Sequence, residues 1–201
     1  MKLVKDTDRK THKKEVSDKE AEEAFKTILS WLGENPNREG LVDTPKRVIK
    51  SFTEHFSGYF EDPEEILLKT FDQTEGYNDM VILRNIDFES HCEHHMLPII
   101  GKASIAYYPN KRIVGISKLA RIVNVFAKRL QTQEVMTSQI INSIENYLKP
   151  LGSAVLVNAD HHCMKTRGVH KKDTTMTTLL FKGCFENEKP LQDRFLNMVK
   201  N

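Results

Sequence analysis

Two short segments rich in cysteine and histidine constrain the fold of this chain more than any other feature. The first runs from Ser90 to His95 and the second from Asp160 to Cys163, with a long stretch of chain between them. Together they hold two of the three cysteines and five of the eight histidines. Thiolate and imidazole are ligands that zinc prefers in proteins. If both segments bind one ion, the fold must bring them together.

The spacing within each segment offers up to four ligands to one metal ion. Cys92 and His95 are three residues apart, which suits a turn or a first helical turn closing on the ion. His161 and Cys163 are two apart, and on a strand they would face the same side. A closed structural site would use all four ligands, whereas a catalytic site would use three and leave one position to water. The surplus of histidines favours the catalytic interpretation, because one histidine can move protons while another binds metal.

Two basic clusters accompany these segments. Lys118 and Arg121 stand at the start of a predicted helix, where free backbone N–H groups and the helix dipole favour phosphate. Lys165 and Arg167 follow the second metal segment directly. Most lysines and arginines are solvated surface charges, and either cluster alone would be interpreted in that way. Because both clusters lie beside the cysteine- and histidine-rich segments, they favour an anionic ligand at the predicted metal site.

A further polar pair, Gln133 and Glu134, stands between two predicted helices. A carboxylate can accept two hydrogen bonds from a guanine-like edge, and a glutamine can add another. The pair is a weak signal by itself, because Gln and Glu are common near the start of a helix.

Composition excludes several classes of protein. A chain of 201 residues fits one domain with an added helical segment and can bury a core without disulfides. An odd number of cysteines, two of them in the predicted metal site, indicates a reducing compartment, so we expect a cytoplasmic protein. The first residues lack the apolar run of a signal peptide, and no stretch approaches membrane-spanning length. A net charge of +2 argues against a dedicated nucleic-acid binder.

The chain divides into three predicted parts. Residues 1–16 are almost wholly polar and predict a flexible tail, residues 17–70 a helical segment, and residues 71–201 a catalytic domain. Ser17–Glu20 has the form of a capping box, and Pro45 suits the first turn of a second helix. Two helices are therefore predicted ahead of the catalytic domain.

From Met80 onward the apolar pattern changes to strand, strand, helix, helix, strand, strand. Ser117 is the predicted cap of the first of these helices. The predicted elements cover residues 80–88, 102–108, 117–130, 133–148, 153–159 and 174–185, and a short additional strand is predicted over 113–116.

The order of these motifs resembles that of GTP cyclohydrolase I, and the match runs from about Ser17 to the C-terminus. The motifs that carry the resemblance are Ser90–His95, Gly115–Arg121, Arg129–Glu134 and His161–Gly168. The resemblance implies the tunnelling fold, an α+β architecture with a four-stranded antiparallel sheet, two helices on one face and preceding helices. It also implies a toroidal homodecamer with active sites at subunit interfaces.

The resemblance assigns the metal and proton-transfer positions. It implies one zinc ion per subunit, held by Cys92, His95 and Cys163 with water in the fourth position. His94 and His161 match the family's catalytic histidines. Spacing alone does not choose between the adjacent His94 and His95, and a closed site with His161 as fourth ligand remains an alternative.

The resemblance also assigns positions that contact GTP. Gln133 and Glu134 match the guanine-recognition positions. The positions around the ribose and triphosphate are Ser117, Lys118, Arg121, Lys165, Arg167 and Arg47. Of these, Arg47 matches an arginine that reaches phosphate from a neighbouring subunit. The resemblance gives no catalytic role to His91, His162 or Cys184.

The implied reaction converts GTP and water to 7,8-dihydroneopterin triphosphate and formate, the first step of pterin- and folate-type biosynthesis. Two alternatives remain open. One is another tunnelling-fold enzyme, such as a pterin synthase with a three-histidine zinc site or a nitrile reductase with a cysteine nucleophile. The Cys-His-Cys set argues against both. The other is a non-enzyme, either a zinc-stabilised scaffold or a nucleotide-binding regulator.

Overall fold

The computed structural model describes residues 16–68, 70–71 and 76–200. The predicted polar tail, residues 1–16, therefore lies outside the described residues except for Val16. The division into a segment over 17–70 and a domain over 71–201 stays a prediction. Leu67, near the end of the first, belongs to the main apolar core.

The N-terminal part is helical, and local interactions fix where its helices begin. The Ser17 hydroxyl accepts the Glu20 backbone N–H at 3.2 Å, and the Glu20 carboxylate accepts the Ser17 backbone N–H at 2.8 Å. This confirms the predicted capping box. Pro45 lies in the first turn of the second helix, as predicted. The elements are α1 (Asp18–Trp31), α2 (Thr44–His55), a 3-10 turn (Ser57–Phe60) and α3 (Pro63–Leu67).

The described chain forms seven strands: β1 (Thr70–Phe71), β2 (Val81–Cys92), β3 (Pro98–Tyr108), β4 (Ile113–Val114), β5 (Leu130–Gln131), β6 (Gly152–His161) and β7 (Met176–Gly183). Five of them form the central sheet in the order β5-β2-β3-β6-β7. The four long strands of this sheet pair antiparallel, as the tunnelling fold requires, while the short β5 runs parallel to the end of β2. A separate pair joins β1 to β4.

Strands β2 and β3 are longer than predicted at the end where the metal segment lies. The prediction ended the first strand at Phe88, but pairing continues to His91, which lies opposite Pro98. Burial alternates along this extension: Ser90 and Cys92 are buried, whereas Glu89 is exposed and His91 is half-buried on the other face. The extension places Cys92 at the end of a long strand.

Two helices, α4 (Ile116–Ala127) and α5 (Gln133–Ser143), cover one face of the sheet. A π-helical turn, Ile144–Leu148, continues α5. Apolar residues recur along α4 at helical spacing and are fully buried, including Ile122 and Phe126. Each such side chain contributes about 1.5–3 kcal/mol to folding.

The predicted cap of α4 was wrong. Gly115 is the N-cap, and its carbonyl accepts the Lys118 backbone N–H at 2.8 Å. Ser117 therefore lies inside the first turn, where its side chain is exposed.

The opposite face of the sheet is partly covered by C-terminal helices that the sequence prediction did not include. They are α7 (Cys184–Asn187) and α8 (Lys189–Val199), and the short α6 (His162–Lys165) follows β6. Phe185 and Phe195 are fully buried there against Ala106 and Ala154. Strand β7 ends at Gly183, where φ is +60° and a Cβ would lie 2.3 Å from the Leu151 carbonyl. The observed strand therefore ends two residues before the predicted end at residue 185.

Among the described residues, no helix is both long and apolar enough to cross a membrane.

Candidate functional site

The order of the sheet explains how two distant segments meet. Strand β3 lies between β2 and β6 and runs antiparallel to both, so the ends of β2 and β6 converge at the start of β3. His91 pairs with Pro98, and the next residue, Ile99, pairs with His161 on the other side. The two metal segments thus stand one strand apart.

Three of the predicted ligands form a compact group. One ligand atom from each of Cys92, His95 and Cys163 lies within 4.8 Å of the other two. The turn that carries His95 is held by the Cys92 backbone, whose N–H donates to the Leu97 carbonyl at 2.9 Å. The Cys92 carbonyl in turn accepts the Met96 N–H at 2.8 Å. The spacing prediction of a turn closing on one ion therefore matches the observed backbone.

The second segment differs from its predicted local structure. The prediction placed His161 and Cys163 on one strand with their side chains on the same side, but β6 ends at His161 and Cys163 lies in α6. His161 is the N-cap of this helix, so the chain bends between the two residues. Cys163 consequently joins the metal-binding group while the His161 ring bonds to Gln133.

The two thiols of the group are free cysteines. Burial raises the pKa of the Cys163 thiol, and the neighbouring Cys92 raises this pKa further. The Cys163 thiol is therefore an unfavourable place for an uncompensated negative charge. A bound divalent cation reverses this preference, because it favours the thiolate form of its ligands.

Geometry separates the adjacent histidines of the first segment. The Nδ1 atoms of His94 and His95 lie 3.9 and 3.8 Å from the Cys92 sulfur, but only His95 also reaches Cys163 to complete the group. His95 Nε2 lies 3.1 Å from Arg167 Nη1. Because a guanidinium can only donate, Nε2 is the acceptor in this contact.

His161 lies beside the group in a half-buried position. Burial lowers its pKa, although the carboxylates of Glu134 and Asp160 act in the opposite direction. Its Nε2 lies 2.8 Å from the side-chain oxygen of Gln133. Gln133 is buried, whereas the adjacent Glu134 is exposed and open to a ligand.

Strand β5 brings the start of α5 to the metal segment. Gln131 pairs with Cys92, and its carbonyl accepts the Glu93 N–H at 3.0 Å. Thr132 then caps α5, since its hydroxyl accepts the Val135 N–H at 3.4 Å. This short parallel pairing therefore places Gln133 and Glu134 next to the predicted ligands, a proximity that the sequence spacing does not reveal.

The residues predicted to contact the ribose and triphosphate lie in three places. Near the metal-binding group, Lys165 pairs with Asp160 at 2.9 Å, and Arg167 contacts His95. Ser117, Lys118 and Arg121 lie on the first two turns of α4, and within the described chain none of their side chains forms a hydrogen bond or ion pair. Arg47 lies on α2, where it pairs with Asp43 at 3.2 Å.

Asp160 is a site residue that sequence analysis missed. Its carboxylate accepts hydrogen bonds from Lys165 and, at 3.0 Å, from the Thr175 hydroxyl. The Lys165 ammonium group is the main cause of the lowered pKa of Asp160. Asp160 therefore holds Lys165 in a largely buried position. The position of Asp160 directly before His161 in the motif was the sequence signal that could have identified it as a site residue.

His91, which had no predicted role, connects α2 to the metal segment. Its ring packs 4.7 Å from that of His55 and 5.3 Å from that of Phe56, as measured between ring centroids. Burial lowers the pKa of His91. The helix that carries Arg47 thus packs directly against the strand that ends in Cys92.

The fold and the site together define a tunnelling-fold protein with a Cys-His-Cys metal-binding group beside a half-buried histidine and an exposed glutamate. The GTP cyclohydrolase I family matches residues 21–200. GTP cyclohydrolase 1 of Pelagibacter ubique is 56% identical over 200 residues, covering 99% of each chain. That of Hyphomonas neptunium is 55% identical over 194 residues, covering 96% of this chain and 94% of the other. The chain belongs to the GTP cyclohydrolase I family.

Proposed function

We propose that this chain catalyses the zinc-dependent hydrolytic opening of the GTP imidazole ring at C8. Formate is released, and the remainder rearranges to 7,8-dihydroneopterin triphosphate, which enters pterin- or folate-type biosynthesis. The observation that carries the proposal is the three-residue group Cys92, His95 and Cys163 beside His161 and Glu134. High identity to relatives named GTP cyclohydrolase 1 over nearly the whole chain supports it.

The three-residue group fits zinc by its chemistry and dimensions. Two sulfurs and one imidazole nitrogen are typical zinc donors, and tetrahedral coordination would separate them by about 3.6–3.8 Å. Their present separations of up to 4.8 Å need only a small contraction. Bound zinc would lower the pKa of a water ligand toward about 7 and so supply hydroxide near neutral pH.

Two histidines are proposed to move protons. His161 stands beside the group without belonging to it, which favours a catalytic role over a fourth ligand position. We assign it the protonation of N7, which makes C8 more electrophilic. His94 is more exposed and close to Cys92, and we assign it proton transfer during ring opening and formate release.

Recognition of GTP is proposed to divide between base and phosphates. The exposed Glu134 carboxylate can accept hydrogen bonds from the ring N–H and the amine of guanine. Gln133 begins α5, where backbone N–H groups lack an intrahelical partner and can donate to the base. The ribose and triphosphate are assigned to Ser117, Lys118, Arg121, Lys165 and Arg167, with Arg47 from another subunit. These contacts position the base for reaction.

We further propose a cytoplasmic homodecamer with active sites between subunits. The exposed Trp31 and Leu32 at the end of α1 are 81% and 63% accessible, which is typical of a surface that another chain covers. The three free cysteines suit a reducing compartment. Light scattering should report a mass of ten 23.2 kDa chains, and a monomer mass would contradict the assembly.

The proposed activity is tested by incubating the zinc-loaded protein with GTP. Formate and, after the product is treated with a chemical oxidant, a fluorescent pteridine should be found in equal amounts. A strong chelator should abolish both signals, and added zinc should restore them. Zinc-loaded protein that binds GTP but releases no formate would instead support the regulator or scaffold alternative.

A further inference from the structure

The side chain of Gln133 is held in one orientation by its buried surroundings. Its Nε2 atom lies 3.0 Å from the Val157 carbonyl, 3.1 Å from the Met176 carbonyl and 3.1 Å from the Thr178 hydroxyl. Carbonyl oxygens only accept, so the amide must present its N–H groups to them. Rotating the amide by half a turn would place its oxygen against two carbonyls. Gln133 is 1% exposed, so water cannot compensate for that arrangement.

The threonines around Gln133 fit the same orientation. The Thr137 hydroxyl donates to the Gln133 backbone carbonyl at 2.7 Å. It has no second proton to donate, so in its 2.7 Å contact with Thr178 it must accept. Thr178 then donates to Thr137 and accepts from Gln133. Every hydroxyl and amide proton in this small network therefore has an acceptor.

The orientation of Gln133 decides which nitrogen of His161 carries a proton. With Nε2 of Gln133 directed at the carbonyls, its Oε1 faces His161 Nε2 at 2.8 Å. An amide oxygen only accepts, so His161 Nε2 must be the donor. A neutral imidazole has one N–H, which leaves the lone pair on Nδ1.

We propose that Gln133 is a positioning residue that holds neutral His161 in its Nε2–H tautomer, so that Nδ1 is the ring nitrogen that takes up a proton from water and passes it to N7 of the substrate. The tautomer follows from the hydrogen bonds alone, whereas the role of Nδ1 rests on the proposed function. Gln133 thus acts through His161. In metal sites, the group that accepts a hydrogen bond from a histidine's second ring nitrogen fixes the orientation of that ring in a similar way.

The tautomer can be measured directly in the complete zinc-loaded protein. Solid-state NMR of protein labelled with ¹⁵N in histidine distinguishes protonated from unprotonated Nδ1 and Nε2, and a His161→Gln variant identifies the His161 signals. We expect His161 as the Nε2–H form in the wild-type protein. A wild-type His161 in the Nδ1–H form would overturn the proposal, whether or not any variant folds.

A matched pair of variants tests the consequence for turnover. Gln133→Met removes the acceptor of the His161 proton and should lower kcat about 10- to 100-fold with little change in the KM for GTP and normal zinc content. Thr178→Val is the control, because it disturbs the same buried network but leaves the bond between Gln133 Oε1 and His161. Its kcat should stay within about twofold of wild type.

The outcomes separate this proposal from the proposed function. Unchanged kcat and tautomer in Gln133→Met, or an equal loss of kcat in Thr178→Val, would overturn the positioning role. Absence of formate release by the wild-type protein would overturn the proposed function, while the wild-type NMR spectrum would still decide the tautomer.

Discussion

Asp79 and Arg194 form a bidentate ion pair across 115 residues of chain, with both N–O distances at 2.7 Å. Asp79 precedes β2, and Arg194 lies on α8, so the pair fastens the C-terminal helix to the sheet. Arg84 on β2 adds a second attachment by donating to the Met198 carbonyl at 2.6 Å. The helix that sequence analysis missed is therefore held by long-range contacts as well as by its buried phenylalanines.

We predict that Asp79→Asn lowers stability in a pH-dependent way. Hydrogen bonds from Arg194 and from the Met80 backbone lower the pKa of Asp79 in the folded protein. A group with a lowered folded pKa stabilises above its unfolded pKa, about 3.9 for Asp, and loses this effect as pH falls through the folded value. Denaturation midpoints of wild type and variant should differ at pH 7 and converge only as pH falls from about 4 through the lower folded pKa of Asp79.

The control for this variant is Asp193→Asn. Asp193 pairs with Lys189 within α8 and is exposed, so it should change the midpoint little at either pH. Equal midpoints for Asp79→Asn and wild type at pH 7 would show that the bidentate pair contributes nothing.

We predict that Cys163→Ala loses zinc and activity together while keeping its fold. Cys163 supplies one of three ligands, and two ligands hold zinc weakly. Metal analysis, circular dichroism and formate release would be measured on each variant. Cys184→Ala is the matched control, because Cys184 is a free cysteine that packs against the C-terminal helices and is not part of the metal-binding group. Full zinc content in Cys163→Ala would contradict the assignment of Cys163 as a zinc ligand.

We predict that His95 and His161 respond differently to replacement by alanine. His95→Ala should lose zinc, whereas His161→Ala should keep zinc and GTP binding but lose turnover by about 10²–10⁴-fold. Zinc titration of the two variants beside formate release tests the division. If His161→Ala lost zinc as readily as His95→Ala, the closed four-ligand site would be the better description.

We predict that Glu134 selects guanine over adenine. Glu134→Gln replaces an oxygen that accepts from the base with a donor, so one guanine N–H would lose its partner. GTP binding should weaken by about 10- to 100-fold, and the preference for GTP over ATP should fall. Calorimetry with both nucleotides measures this. An unchanged preference would leave Glu134 as a residue of the helix start only.

We predict that Arg47 serves the active site of a neighbouring subunit. Arg47→Ala and His161→Ala homo-oligomers should each be nearly inactive. Subunits of the two variants, mixed equally and reassembled, should recover about a quarter of wild-type activity, because that share of sites pairs an intact His161 with an intact neighbouring Arg47. If mixing restored nothing, while exchange of subunits was verified by mass spectrometry, Arg47 would act within its own chain. An active Arg47→Ala homo-oligomer would show that Arg47 has no role in the active site.

Much of the secondary structure follows from local signals in the sequence. The capping box at Ser17, the proline in α2 and the apolar period of α4 each depend on residues within one or two turns. The ends of β2 and β7 were less predictable, because pairing opposite Pro98 and close packing of Gly183 against Leu151 depend on distant residues.

The ligand types and their spacing are properties of the sequence, and so is the family resemblance that they carry. The resemblance assigns His95 rather than His94 to the metal, and the structure groups His95 with Cys92 and Cys163. Only the tertiary structure decides that Gln133 faces His161. These outcomes depend on the register of β3 with β6 and of β5 with β2. Local propensity does not encode register, since it is set where apolar faces pack together across the whole sheet.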